Sequence, residues 1–161
     1  VTLVFNASPL IVLAKAGLWD ICVTLGDVVV IPQAVSDEVI RIDNPIDPAR
    51  IWLESPSLPV SHPASPPISP FLAAWDLGAG ETAVIALAET TPDAVAVLDD
   101  LAARRCAQAL GIEVIGTLGL VLLAKKRGLI PNVSEPLAAI VAAGLFIAPH
   151  HLTAIRHQAG E

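Results

Sequence analysis

The hydrophobic pattern of this chain switches between two periods. Val1–Phe5, Val28–Ile31, Ala94–Leu98 and Ile112–Ile115 are short, almost continuous apolar runs rich in Val and Ile, the pattern of strands buried on both faces. Between them apolar positions recur every three or four residues, as on a helix with one face against a core. Ser8 fits a helix N-cap and Pro9 the first helical position, predicting a helix that continues through Leu10–Ala16 and closes at Gly17. Further helices are predicted over Leu18–Leu25, from Pro32 to about Ile42 (Val35, Val39 and Ile42 on one face), and from Gly80-Glu81 to about Glu89. Leu101–Leu110, Leu118–Arg127 and Ser134 or Glu135 to Ala143 read as helices stopped by Gly111, Gly128 and Gly144. Leu145–Ala148 reads as extended, and a last helix is predicted from about His150 to Gln158.

The segment 43–70 breaks this alternation. It holds eight of the 14 prolines, so neither a long helix nor a central strand can form there. It is predicted to be a long excursion with one short helix or strand near Ile51–Leu53. Elsewhere strands alternate with helices. That order predicts an α/β fold, a three-layer sandwich with a mostly parallel central sheet and helices on both faces, in one domain spanning 1–161 with a C-terminal helical extension over 133–161. Ligands of such sheets bind at the carboxyl ends of the strands.

Composition narrows the classes. With 54% hydrophobic and 16% charged residues, the chain can bury a substantial core and is not disordered, and its apolar surplus suits a partner surface. Its longest nearly uncharged run, Pro136–Pro149, is 14 residues, short of the roughly 20 that a membrane span needs. The first residues lack a basic region, and Asn6, Pro9 and Lys15 interrupt their apolar run; no signal peptide is expected and a cytoplasmic location is. The net charge of −7 argues against a general nucleic-acid binder. Between Leu101 and Pro131, however, Arg104, Arg105, Lys125, Lys126 and Arg127 face one acid, Glu113. Cys22 and Cys106 lack metal-ligand spacing and read as reduced, buried thiols.

Polar residues sit just past the predicted strand ends: Asn6, the pair Asp99-Asp100, and Thr117. If the strands are parallel, these share one sheet edge. One aspartate of the pair needs no more explanation than an N-cap; the second is either a site residue or a solvated cap. Glu81 lies on the apolar stripe of its helix with Val84 and Ile85, either aimed at the core edge or placed as a first-turn charge. Glu38, next to the core residue Val39, reads alone as a solvated face residue. The histidines (His62, His150, His151, His157) lack zinc spacing. Gly78-Ala79-Gly80-Glu81-Thr82-Ala83, with Asp99 about twenty residues on, matches the dinucleotide-binding fingerprint. That fingerprint requires a strand immediately before the first glycine, and Pro70–Leu77 reads as a short helix.

Asn6-Ala7-Ser8-Pro9-Leu10-Ile11, the Gly78–Ile85 block, Leu98-Asp99-Asp100 and Ile115-Gly116-Thr117-Leu118-Gly119, in this order, resemble the PIN-domain family. More narrowly, they resemble a prokaryotic subgroup found in toxin–antitoxin pairs of the VapC-like kind. The resemblance implies a metal-dependent endoribonuclease, a hydrolase of RNA phosphodiester bonds using Mg²⁺ or Mn²⁺. Carried over by motif, the implied metal-ligating positions are Asn6, Glu38, Glu81, Asp99 and Asp100, the four acids also being the implied catalytic residues. Most PIN nucleases have Asp where this chain has Asn6. A neutral amide oxygen binds a hard cation less strongly, so reduced activity is one implied outcome.

On this reading Ser8 or Thr117 would position a water or a phosphate oxygen, and Arg104, Arg105 and Lys125–Arg127 would hold the RNA backbone. The implied partners are RNA, an antitoxin-like protein, and further copies of the chain as a homodimer or higher oligomer. A non-catalytic PIN-like interaction module is the alternative, and a dinucleotide-binding domain the weaker one.

Overall fold

The computed structural model describes residues 1–54 and 60–161; residues 55–59, inside the predicted excursion, lie outside the described residues. Five strands form one all-parallel sheet: β1 (Thr2–Phe5), β2 (Val28–Val30), β3 (Val60–Ser61), β4 (Ala94–Val97) and β5 (Glu113–Ile115), in the order β3-β2-β1-β4-β5. Leu3, Val4 and Phe5 of β1 are all buried. Successive strand residues point to opposite faces, so both faces of the sheet are covered at its centre.

Ten helices surround the sheet among the described residues: α1 (Ala7–Lys15), α2 (Trp19–Val23), α3 (Gln33–Ile40), α4 (Pro48–Leu53), α5 (Pro70–Ala73), α6 (Ala79–Thr90), α7 (Leu101–Ala109), α8 (Thr117–Lys126), α9 (Ser134–Ala142) and α10 (Pro149–Ala159). α6 packs on β1 and β4 and against α3 and α7; α10 packs on α8. Beneath β1, Phe5 meets Trp19 edge-on at 4.9 Å, and Trp19 meets Trp52 of α4 at 4.3 Å. That contact ties part of the Pro-rich excursion to the core. Asp47 supports it. Its buried carboxylate caps α4 by accepting from the Ala49 N–H (3.0 Å) and pairs with Lys15 (3.3 Å).

Two expectations need correction. The excursion holds more structure than one short element, since β3 extends the sheet at its edge, where prolines on either side are tolerated. Ser8 does not cap α1. Asn6 occupies the N-cap with extended backbone, and Ser8 is an exposed residue inside the first turn. The segment before Gly78 is helical as expected, α5 followed by a turn with no strand, so the context a dinucleotide fingerprint needs is missing.

The chain runs outward from β1 through β2 to β3, then crosses back to β4 and out to β5. The strand order therefore reverses between β1 and β4, the point at which open parallel sheets present a crevice at the carboxyl ends of their strands. Asn6 and Asp99 flank that crevice.

Candidate active site

The Asn6 N–H donates to the Val97 carbonyl (3.2 Å), extending the β1–β4 ladder one residue past β1. This holds Asn6 in the crevice, where it is buried. Its Nδ2 donates to Glu81 Oε1 (3.0 Å), which settles the amide orientation, because the flipped amide would set oxygen against carboxylate oxygen. Asn6 Oδ1 is buried and has no hydrogen-bond partner. Such orphans are rare, and each calls for a structural reason.

Glu81 is the third residue of α6, where the exposed N–H groups of a first turn favour a carboxylate. Glu38 comes from α3, which packs against α6. The two helices meet at Gly80. A Cβ there would lie 2.9 Å from both Asn6 Oδ1 and Glu38 Oε2. Glu81 Oε2 likewise folds over Gly78 more closely than a Cβ would allow. The glycines of Gly78-Ala79-Gly80 thus admit side-chain oxygens to the helix start, a different task from cradling a pyrophosphate.

The Glu38 carboxyl is raised from its ordinary value, first by partial loss of solvent and then by the negative charge of Glu81. Among the described residues no salt bridge reaches either glutamate. Two carboxylates and an unpaired amide oxygen therefore converge without a protein cation. This all-oxygen donor set fits a hard divalent ion, Mg²⁺ or Mn²⁺. Among the described residues no three His, Cys, Asp or Glu side chains surround one point, so the convergence depends on Asn6.

Across the crevice, Asp99 is clamped by Thr117. Oδ1 accepts from the Thr117 N–H (2.8 Å) and Oδ2 from its hydroxyl (2.6 Å). Arg104 Nη1 donates to the Leu98 carbonyl (2.8 Å). Gly116 makes room for both, since a Cβ there would lie 2.9 Å from Asp99 Oδ1 and 2.8 Å from Arg104 Nη1. Asp100 is exposed and caps α7 by accepting from the Ala103 N–H (2.8 Å). The pair therefore divides its work: Asp100 ends in a helix cap, and Asp99 faces the crevice side.

Asn6, Glu38 and Glu81 are thus brought together, and Asp99, Thr117 and Arg104 form a second group beside them. Arg105 is exposed on α7. Thr117 is wholly buried and its hydroxyl is committed to Asp99, so it orients that carboxylate in place of a water or a phosphate. Lys125, Lys126 and Arg127 lie at the wrong end. α8 starts at the carboxyl edge and its ten residues carry the chain ~15 Å away. Arg127 then donates to the Leu25 carbonyl just ahead of β2, and Lys125 to that of Pro131. One feature of the same edge was not legible in the sequence. β3 delivers His62 there, with Nδ1 2.7 Å from the buried Ser36 hydroxyl and 3.2 Å from the Ile31 carbonyl.

A family model described as PIN domain matches residues 2–161. No curated protein and no solved structure matches the chain.

Proposed function

The chain belongs to the PIN-domain family, a nuclease-type fold, and from that premise we propose that it is a metal-dependent endoribonuclease, the toxin-like member of a toxin–antitoxin pair. The observation that carries this reading is the buried, unpartnered Asn6 Oδ1 beside Glu38 Oε2, with Glu81 held alongside by the Asn6 amide. Asn6, Glu38 and Glu81 would hold the cation. When bound, Mg²⁺ or Mn²⁺ supplies Lewis-acid stabilisation of a phosphate oxygen and lowers the pKa of a water.

The protein's own groups do the rest. Asp99 keeps lone pairs beyond the two that accept from Thr117, and these orient the attacking water and accept its proton. Thr117 is a positioning residue, acting through Asp99. Arg104, held beside Asp99 by the Leu98 carbonyl, supplies the positive charge that draws a phosphodiester into an otherwise acidic crevice. Because Asn6 is neutral, the cation is held less tightly than by a third carboxylate, and activity is expected to be modest and dependent on metal concentration.

The test is cleavage of structured and single-stranded RNAs with and without Mn²⁺ or Mg²⁺. Glu81→Gln and Asp99→Asn should abolish metal-dependent cleavage. Asp100→Asn, a cap position, should retain it. Cleavage surviving both of the first two substitutions would sink the assignment.

A second reading, a protein-association module, draws on Phe146 (88% exposed) and Ile46 (76% exposed), large apolar side chains left in water. It predicts that the purified chain cleaves none of these RNAs, yet self-associates or binds an antitoxin-like protein through those positions.

A further inference from the structure

A cleft of about 540 Å³ opens on the far side of Asp99, between the carboxyl end of β5 and the C-terminal helix α10. It lies within the size range of small-ligand sites. Its floor is apolar, made by Ile115 and Leu118 with Gly116, which lacks a Cβ. Its polar side chains are four, the Asp99 carboxylate among them. Arg104 is on the Asp99 side, and His151 and Gln158 project from α10.

These groups match the parts of one nucleotide. The Arg104 guanidinium is permanently charged and spends Nη1 on the Leu98 carbonyl, leaving other N–H groups for a phosphate. His151 and Gln158 are seven residues apart, two helical turns, and so share one face of α10. An imidazole ring offers a stacking surface for a base, and a carboxamide offers both a donor and an acceptor to a base edge. Asp99 sits at the junction of cleft and crevice.

We propose that this cleft is a subsite for a single unpaired nucleotide next to the scissile phosphate, with the phosphate on Arg104 and the base between the apolar floor and His151. The inference rests on the ribonuclease reading above and deepens it. α10 is then a substrate-binding wall and part of the functional unit.

The test needs no cleavage. In the whole 161-residue chain with chelator present, the His151 ring is followed by NMR during titration with uridine 5′-monophosphate, adenosine 5′-monophosphate and inorganic phosphate. Saturable shifts at His151, absent at His157, are expected with both nucleotides. Arg104→Gln should weaken both nucleotides and phosphate at least tenfold. His151→Ala and Gln158→Leu, at exposed positions of α10, should weaken the nucleotides several-fold and leave phosphate unchanged. These two variants decide the matter should Arg104→Gln fail to fold. Unmoved His151 signals, or unchanged affinities in the α10 variants, would overturn the subsite. A parallel assay compares one RNA single-stranded and in perfect duplex. If neither is cut by the wild-type chain with Mn²⁺, the ribonuclease reading fails, while the titration still decides the cleft.

Discussion

Asn6 donates to Glu81 across 3.0 Å and leaves its own Oδ1 without a partner. The neutral side chain thereby links a carboxylate from α6 to the end of β1 without adding a charge. An aspartate in its place would lose that donor and set a third negative group against Glu38 and Glu81. Asn6→Asp is therefore expected to destabilise the metal-free protein at neutral pH by about 1–3 kcal/mol and to raise affinity for Mn²⁺. Denaturation with chelator and calorimetric Mn²⁺ titration read the two effects separately. Unchanged metal affinity would mean that Asn6 does not face the cation.

Gly80 offers a sharper test, because local propensity and site geometry oppose each other there. Alanine is a better helix former than glycine by about 1 kcal/mol. Its Cβ would nevertheless enter the space held by Asn6 Oδ1 and Glu38 Oε2. Gly80→Ala should fold, with a helical circular-dichroism spectrum like that of the parent, and should bind Mn²⁺ at least tenfold more weakly. Wild-type affinity in this variant would place the cation elsewhere.

Thr117→Val keeps the β-branched shape and the backbone N–H that bonds Asp99 Oδ1, and it deletes only the hydroxyl bonded to Oδ2. Stability should fall by about 1 kcal/mol. If Thr117 acts by orienting Asp99, kcat for RNA cleavage falls while KM stays near its wild-type value. A change confined to KM would assign Thr117 to substrate binding.

The central strands and the order of the candidate acids could be read directly, because both are local in sequence: β1 and β4 lie in almost continuous apolar runs, and polar residues follow those runs at once. What escaped was set by tertiary geometry. Lys125–Arg127 follow Thr117 closely in sequence, yet the length of α8 carries them to the opposite edge of the sheet. Ser8 resembles a cap, but the strand ladder runs on through Asn6 and claims that position. The glycines at 78 and 80 look like a phosphate loop, and only the approach of Glu81, Asn6 and Glu38 reveals their task. β3 is two residues long and stands between prolines, so no periodicity announces it.

Asp47 bears on how the excursion is held. Its side chain is 2% exposed, whereas its partner Lys15 is 39% exposed, so the pairing is partly screened and the cap bond to Ala49 is the better shielded contact. Asp47→Ala removes both and leaves Lys15 unpaired at the edge of the core. The expected loss is about 2 kcal/mol, read as a lower urea midpoint with an unchanged slope. Asp47→Asn keeps a cap oxygen and should lose less than half of that. Equal losses for the two variants would show that the charge, and not the cap, holds α4 in place.

Alkaline pH should expose a contribution from Cys22. Burial pushes its thiol up to about 12, while an unfolded thiol ionises near 8.5. The folded value is thus raised above the unfolded one. The stabilisation is fully present below pH ~8.5 and is lost as pH rises from there toward about 12, because only the unfolded chain gives up its proton in that window. The slope is at most ~1.4 kcal/mol per pH unit. Urea unfolding of wild type and Cys22→Ala at pH 7.5, 8.5 and 9.5 should show curves that run parallel below pH ~8.5 and converge above it. The Cys106 thiol is also raised, by desolvation and then by the charge of Glu89, so iodoacetamide at pH 8 should modify neither cysteine in the native protein and both in urea. Native-state labelling of Cys22 would contradict the packing of α2 beneath the sheet.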